Sequence, residues 1–163
     1  MISLKKRQEG FTLIELLIVI VVIGILATIV LITYNGIQAK ARNAKRVTDL
    51  DAIQTQLEAF YTTNGYYPSY ADLNSPSWVK TNMPSLQITA LLDPSSTCTQ
   101  SSSTNCLSSS STPPTAVGNY DYYPTDSTGS SANCEANDTT CSQYTLSAFL
   151  EAGGGLDTKV SLN

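Results

Sequence analysis

A single carboxylate stands where a membrane-length apolar run begins. Residues Gly10 to Leu17 read G-F-T-L-I-E-L-L, residues 18–32 are almost purely apolar, and Glu15 is the one charge from Phe11 to Ile32. A charge in a membrane helix costs about 2.5–3.5 kcal/mol on insertion scales and persists mainly where it finds a partner. The residues before it suggest one. Met1 to Gly10 is a short basic leader with Lys5, Lys6 and Arg7, ending at a glycine just before the apolar run. An ordinary secretory signal puts its small-residue cleavage site after the apolar region, which cleavage then discards. Here the small residue comes first. A cut between Gly10 and Phe11 keeps the helix and creates an α-amino group on Phe11, four residues from Glu15. That amine, with a pKa of ~7.7–8.0, is mostly cationic at neutral pH, and a carboxylate can neutralise it in a low-dielectric setting. Between copies of the chain, the same pair would set axial register. The plainer reading of Glu15 is an end-of-helix charge snorkelling to the membrane interface.

The element that positions this pair is a long helix. Phe11 to Ile32 is 22 residues, roughly 33 Å of helix, which matches the hydrocarbon core of a bilayer. From Tyr34 to Tyr61 the helix continues as an amphipathic one. Ile37, Ala41, Ala44, Val47, Leu50, Ile53, Leu57 and Phe60 step by three or four and predict one inward stripe. Thr62-Thr63-Asn64-Gly65 ends it, with Gly65 a left-handed stop and Pro68 beyond. The four regions expected are a cleaved leader at 1–10, a membrane or fibre-core helix at 11–33, an amphipathic helix at 34–62 and a head at 63–163.

The stretch Gly10-Phe11-Thr12-Leu13-Ile14-Glu15-Leu16-Leu17, followed by its Ile/Val-rich run, resembles the type IV pilin and type II secretion pseudopilin family. The resemblance is specific over Lys5 to Ile32 and only architectural beyond Ala59. It implies that a membrane prepilin peptidase cuts after Gly10 and methylates Phe11, and that the retained helix packs into a fibre core. The implied partners are other pilin subunits, in a homopolymer, and an inner-membrane assembly platform. The family often has a proline where this chain has Ile32, leaving Gly24 and Asn35-Gly36 as the candidate weak points of a straighter helix.

Residues 62–163 suffice for one small domain with a thin core. Tyr66 to Leu92 carries scattered apolar anchors broken by Pro68, Pro76 and Pro84, and predicts short helical turns in a connection. Asp93 to Pro114 is rich in Ser, Thr and Pro without periodicity and predicts an exposed loop. The period then becomes two. Tyr120 and Tyr122 share a face, Tyr144, Leu146, Ala148 and Leu150 alternate with Thr145, Ser147 and Phe149, and Gly153-Gly154-Gly155 permits a reversal into Lys159 to Leu162. The expected fold class is α+β: the long N-terminal helix packed against a small antiparallel sheet, as in pilins.

Cys98 and Cys106 flank one Ser/Thr loop, and Cys134 and Cys141 flank another. Four cysteines allow three pairings, and the two local pairs are favoured because each ties down a loop with little apolar content. Disulfides place the head in an oxidising compartment and the leader in the cytoplasm. Zinc fits poorly, since the chain has no His and the cysteine spacings suit it badly. Calcium is conceivable at Asp121, Asp126, Glu135 and Asp138, but the 12-residue loop pattern is absent and a solvated acidic surface is the simpler reading. No cofactor is therefore expected.

Without His, a nucleophile motif or a phosphate-cradling glycine loop, the chain has no visible machinery for an enzyme. Eleven carboxylates against Lys80 and Lys159 follow Arg46, a net charge of −9 that repels nucleic acid. Lys40, Arg42, Lys45 and Arg46 could meet anionic lipid heads, or more simply pair with nearby acidic residues. Three readings result. The first is a pilus subunit for adhesion, motility or DNA uptake, single-pass in the cell membrane and then in an extracellular fibre. The second is a type II secretion pseudopilin, and the third a membrane-anchored extracytoplasmic binding module.

Overall fold

A computed structural model of the chain describes residues 10–101, 104–131, 134 and 138–163. The leader cations Lys5, Lys6 and Arg7, together with Glu135, lie outside the described residues. The chain divides into two units, one ending at Gln38 and the other running from Ala39 to Asn163.

One helix contributes to both. Helix α1 runs Leu13–Asn64, 52 residues, and is helical through Gly24 and Gly36. Its length follows from composition: the first part has no proline and few helix-disfavouring polar residues, and Thr28 returns its hydroxyl to the Ile25 carbonyl at 2.7 Å instead of exposing it to an apolar medium. In the first unit the window Leu13–Val30 has a mean hydropathy of 3.1, and none of it is buried in the protein. By length and composition it can cross a membrane. The helix stops where the sequence supplies a residue free to turn left-handed: Gly65 takes φ +80° and its N–H reaches the Tyr61 carbonyl at 2.7 Å.

In the second unit, one face of α1 meets an antiparallel sheet with strand order β1-β2-β3. The strands are β1 (Asp121–Thr125), β2 (Gln143–Leu150) and β3 (Gly155–Val160). Tyr122 stands opposite Leu146, and Leu146 opposite Lys159. Pro124 is tolerated because β1 is an edge strand, where a missing N–H costs little. Two short helices, α2 (Tyr70–Leu73) and α3 (Pro76–Asn82), and a 3-10 turn at Ile88–Leu91 fill the connection. Helix α2 starts at a capping box in which Ser69 Oγ receives the Asp72 N–H and the Asp72 carboxylate receives the Ser69 N–H.

The core joins Leu50, Ile53, Leu57 and Phe60 of α1 to Tyr122, Tyr144, Leu146 and Ala148 of the sheet, with Tyr67, Leu73, Val79 and Leu91 closing the sides. Cys98 is bonded to Cys106 and Cys134 to Cys141, with Cα separations of 5.9 and 5.3 Å. The fold is thus α+β and pilin-like.

Two expectations fail. The inward stripe of α1 holds only from Leu50 onward: Ile37, Ala41, Ala44 and Val47 are exposed, while Ala39, Arg46 and Asp49 are buried in their place. Periodicity scores a charge as outward, and here distant carboxylates and a tyrosine turn these charges inward. The stretch from Asp93 to Pro114 is not simply an exposed loop either. Asp93, Asn105, Cys106 and Leu107 are buried, and Ser108 bridges in parallel to Asp121 at the open edge of β1.

Candidate functional site

The residues around the expected cut form a helix start of defined geometry. Thr12 precedes the first helical residue, and its carbonyl accepts the Leu16 N–H. Its hydroxyl oxygen accepts the Glu15 N–H at 3.3 Å, while Glu15 Oε2 accepts the Thr12 N–H at 2.8 Å and the Thr12 hydroxyl at 2.7 Å. This is a capping box, with two donors at the helix end satisfied reciprocally. A carboxylate in the first turn also favours the positive end of the helix dipole. Gly10 and Phe11 lie outside the helix, and the Phe11 side chain is 88 % exposed. The Gly10–Phe11 bond is therefore in open, non-helical backbone.

The box changes the reading of Glu15. Its carboxylate has a partner within its own chain, Thr12, which the sequence analysis passed over. The signal was present: T-L-I-E is the Thr-x-x-Glu pattern that opens helices. Cutting after Gly10 would leave the Thr12 amide N–H and hydroxyl intact. Glu15 Oε1 makes no hydrogen bond among the described residues. The arrangement can hold a helix start together and still offer lone pairs to a cation from another chain.

The basic quartet is largely consumed inside the head. Arg46 and Asp93 are both fully buried and meet through two bonds, Nε to Oδ2 at 2.7 Å and Nη2 to Oδ1 at 3.0 Å. Arg46 Nη2 also lies 2.9 Å from Glu151 Oε1. Burial works to lower the Arg46 pKa, but the hydrogen bonds to Asp93 and Glu151 outweigh it and raise it. Arg42 pairs with Glu151 as well, and that guanidinium chiefly holds the Glu151 carboxyl down at about 2. Lys45 pairs with Asp49 at 2.5 Å, and Asp49 also receives the buried Tyr120 hydroxyl at 2.7 Å. Only Lys40 of the four makes no ion pair among the described residues. The quartet is therefore not a free basic patch for lipid heads.

The cluster clamps the β2–β3 hairpin onto α1. Asn43 donates from Nδ2 to the Glu151 carbonyl at 3.0 Å and accepts the Glu151 N–H at 2.9 Å. Gly154 lets the hairpin turn close tightly, since a Cβ there would lie 2.7 Å from Leu150 Cβ and 3.3 Å from the Glu151 carbonyl oxygen.

The acidic residues singled out for calcium serve local donors. Asp121 accepts the Ser108 hydroxyl at 2.9 Å, and burial raises its pKa. Asp126 accepts the Thr128 N–H and Asp138 the Thr140 N–H. Among the described residues, no three His, Cys, Asp or Glu side chains gather to hold a metal.

Comparison with known proteins finds similarity over part of the chain. Residues 5–31 match the family described as the prokaryotic N-terminal methylation motif. The type II secretion system core protein G of Dickeya chrysanthemi is 39% identical over 66 residues, 40% of this chain and 43% of that protein. The protein of the same name from Aeromonas hydrophila is 42% identical over 65 residues, 40% of this chain and 46% of that one. The type IV major pilin protein PilA of Myxococcus xanthus is 38% identical over 66 residues, 40% of this chain and 30% of that protein. The chain thus spans less than half the length of the curated relatives it matches. No solved structure matches it.

Proposed function

We propose that this chain is the structural subunit of a type IV pilus, stored in the membrane by Leu13–Val30 and polymerised through that helix. One observation carries the reading: the most apolar segment of the chain, Leu13–Val30, is wholly uncovered by the protein, follows an exposed Phe11 and a Thr12–Glu15 cap, and lies within the match to the methylation motif, residues 5–31. An 18-residue apolar helix that keeps its head outside the lipid has two stable settings, a bilayer or a bundle of its own kind.

A prepilin-type peptidase removes the leader at the exposed Gly10–Phe11 bond and methylates the new amine of Phe11. The capping box keeps Thr12 and Glu15 in place through the cut. On entry into the fibre, Glu15 accepts the Phe11 ammonium of a neighbouring subunit, so a misplaced subunit would leave two opposite charges unpaired in an apolar bundle. The assembly platform in the inner membrane supplies the work, and the head faces the cell exterior.

A second reading is a type II secretion pseudopilin. The similarity to core protein G of two organisms favours it, whereas the paired cysteines and Ser/Thr-rich loops of the head favour a fibre exposed outside the cell. A third, a membrane-anchored binding module that stays monomeric, has the open grooves of the head for support. Shearing the cells tests these together. Sedimentable filaments of a protein beginning at methylated Phe11 are the expected result. Intact-mass analysis that finds Met1 retained, or the protein left wholly in the membrane fraction, overturns the proposal. A block of exoprotein release without loss of surface filaments on deletion selects the pseudopilin.

A further inference from the structure

The face of α1 turned away from Leu50, Ile53 and Leu57 is open, and it leads from Ala41 and Ala44 into a groove of about 570 Å³. Thr48, Ala52 and Thr55 line the groove on the helix side, with Leu86, Thr89 and Ala90 opposite. We propose that this groove seats the Leu13–Val30 segment of a second copy of the chain, running parallel and displaced by 25 residues. The inference rests on the fibre reading and assigns it a surface and a register.

Chemistry, size and charge agree on this occupant. Leu13–Val30 is uncovered in its own chain and must be covered once it leaves lipid. At 1.5 Å per residue it is ~27 Å long, and the track from Ala41 to Gln56 is ~24 Å. Small side chains at Ala41, Ala44 and Ala52 let two helix axes come close, so that the larger Ile, Leu and Val of the occupant fill the space.

Charge fixes direction and register. Lys40, at the start of the track, is exposed and makes no ion pair among the described residues. The other charges along it are answered within the chain, Lys45 by Asp49 and Asp51 by Lys159 at 2.7 Å. An apolar helix can therefore lie there without burying an unpaired charge. The occupant has one charge to place, Glu15, and parallel helices offset by 25 residues set Glu15 beside Lys40. The carboxylate has lone pairs enough for this ammonium, its own Thr12 and the Phe11 amine of a further neighbour. At 1.5 Å per residue the offset is ~37 Å along the axis. The occupant is thus the subunit raised earlier, and the receiving groove belongs to one still nearer the membrane.

The same register brings Leu26 of the occupant to the level of Asp51, one residue from Ala52, on the helix face that carries Glu15. Oxidation of cells carrying Leu26→Cys with Ala52→Cys should convert sheared filaments into a reducible ladder of covalent multimers. The ladder should be at least tenfold stronger than with either single substitution or with Thr28→Cys and Ala52→Cys, where the occupant's cysteine faces away. Intact filaments without a ladder, or an equal ladder from the Thr28 pair, overturn the assignment and leave the fibre reading standing. Unsubstituted cells without filaments overturn both. If the cysteine pair itself blocks assembly, Ala52→Trp decides: it fills the groove without touching the apolar segment and should abolish filaments while both native disulfides still form. Full filament yield from Ala52→Trp overturns the proposal.

Discussion

Arg46 and Asp93 meet across 47 residues of sequence with no exposed atom on either side chain, and both carboxylate oxygens accept from the one guanidinium. A buried pair of this kind is weak in net terms but costly to break on one side. Removing one member leaves a buried charge unanswered, at about 3–5 kcal/mol. Arg46→Met should therefore lower the melting temperature of the full chain in detergent by roughly 10–20 °C. Arg46→Met combined with Asp93→Leu should recover part of that loss. A double variant no more stable than Arg46→Met alone would show that the pair does not act as a unit.

The same cluster sets an acid limit. Glu151 is held down at about 2, first by its hydrogen bond from Arg42, with Arg46 and Ser95 adding and partial burial opposing. A carboxyl whose folded pKa lies below its unfolded value, ~4.3, contributes stability that is present above that value and lost as pH falls toward the folded one. The melting-temperature gap between the native chain and Glu151→Gln should thus be constant near neutrality and narrow between pH ~4.3 and 2. Asp121 works in the opposite sense, because burial raises its pKa and its contribution is lost as pH rises. Asp121→Asn should therefore flatten the curve at higher pH than Glu151→Gln does. A gap for Glu151→Gln that stays level down to pH 2 would mean that the Arg42 and Arg46 bonds do not hold in solution.

Much of this architecture could be read from residue order, for reasons that differ along the chain. Gly65 and Pro68 ended the helix legibly because backbone freedom is local, and the alternation from Tyr144 to Leu150 was legible because burial on one face of a sheet imposes period two. Arg46 and Asp49 were not legible. What turns them inward is Asp93, Glu151 and Tyr120, which arrive from 47 to 105 residues away, and no window on the helix contains them. Counting Ala41, Ala44 and Val47 as core followed from the same blindness. Thr12 is legible in residue order as well: it stands three residues before Glu15, in the Thr-x-x-Glu spacing that opens helices, and donates to that carboxylate.

Gly154 sits where the hairpin touches α1, and a methyl group there would meet Leu150 Cβ at 2.7 Å and Asn43 Nδ2 at 3.4 Å. Gly154→Ala should cost about 1–3 kcal/mol as overpacking. The cost should be nearly unchanged when Asn43 is also changed to Ala, because the two nearest atoms, Leu150 Cβ and the Glu151 carbonyl oxygen at 3.3 Å, belong to the hairpin itself. Chemical denaturation of the two single variants and the double variant measures that coupling. Strong coupling between the two substitutions would instead place the clash against α1.

Thr12 and Glu15 separate two jobs that one motif performs. Thr12→Val removes the cap and should fray the helix start by about 0.5–2 kcal/mol, whereas Thr12→Ser should keep it. Glu15→Gln retains an acceptor at the same position, so the cap survives, yet it removes the charge that a neighbouring Phe11 ammonium would need. Amide exchange of the cleaved chain in micelles reads the first job at Glu15 and Leu16, and filament yield on shearing reads the second. The expected result is crossed: faster exchange but assembled filaments for Thr12→Val, and native exchange with at least a tenfold loss of filaments for Glu15→Gln. Were Glu15→Gln to assemble normally while Thr12→Val did not, the carboxylate would be there to start its own helix, and register in the fibre would have to come from another pair.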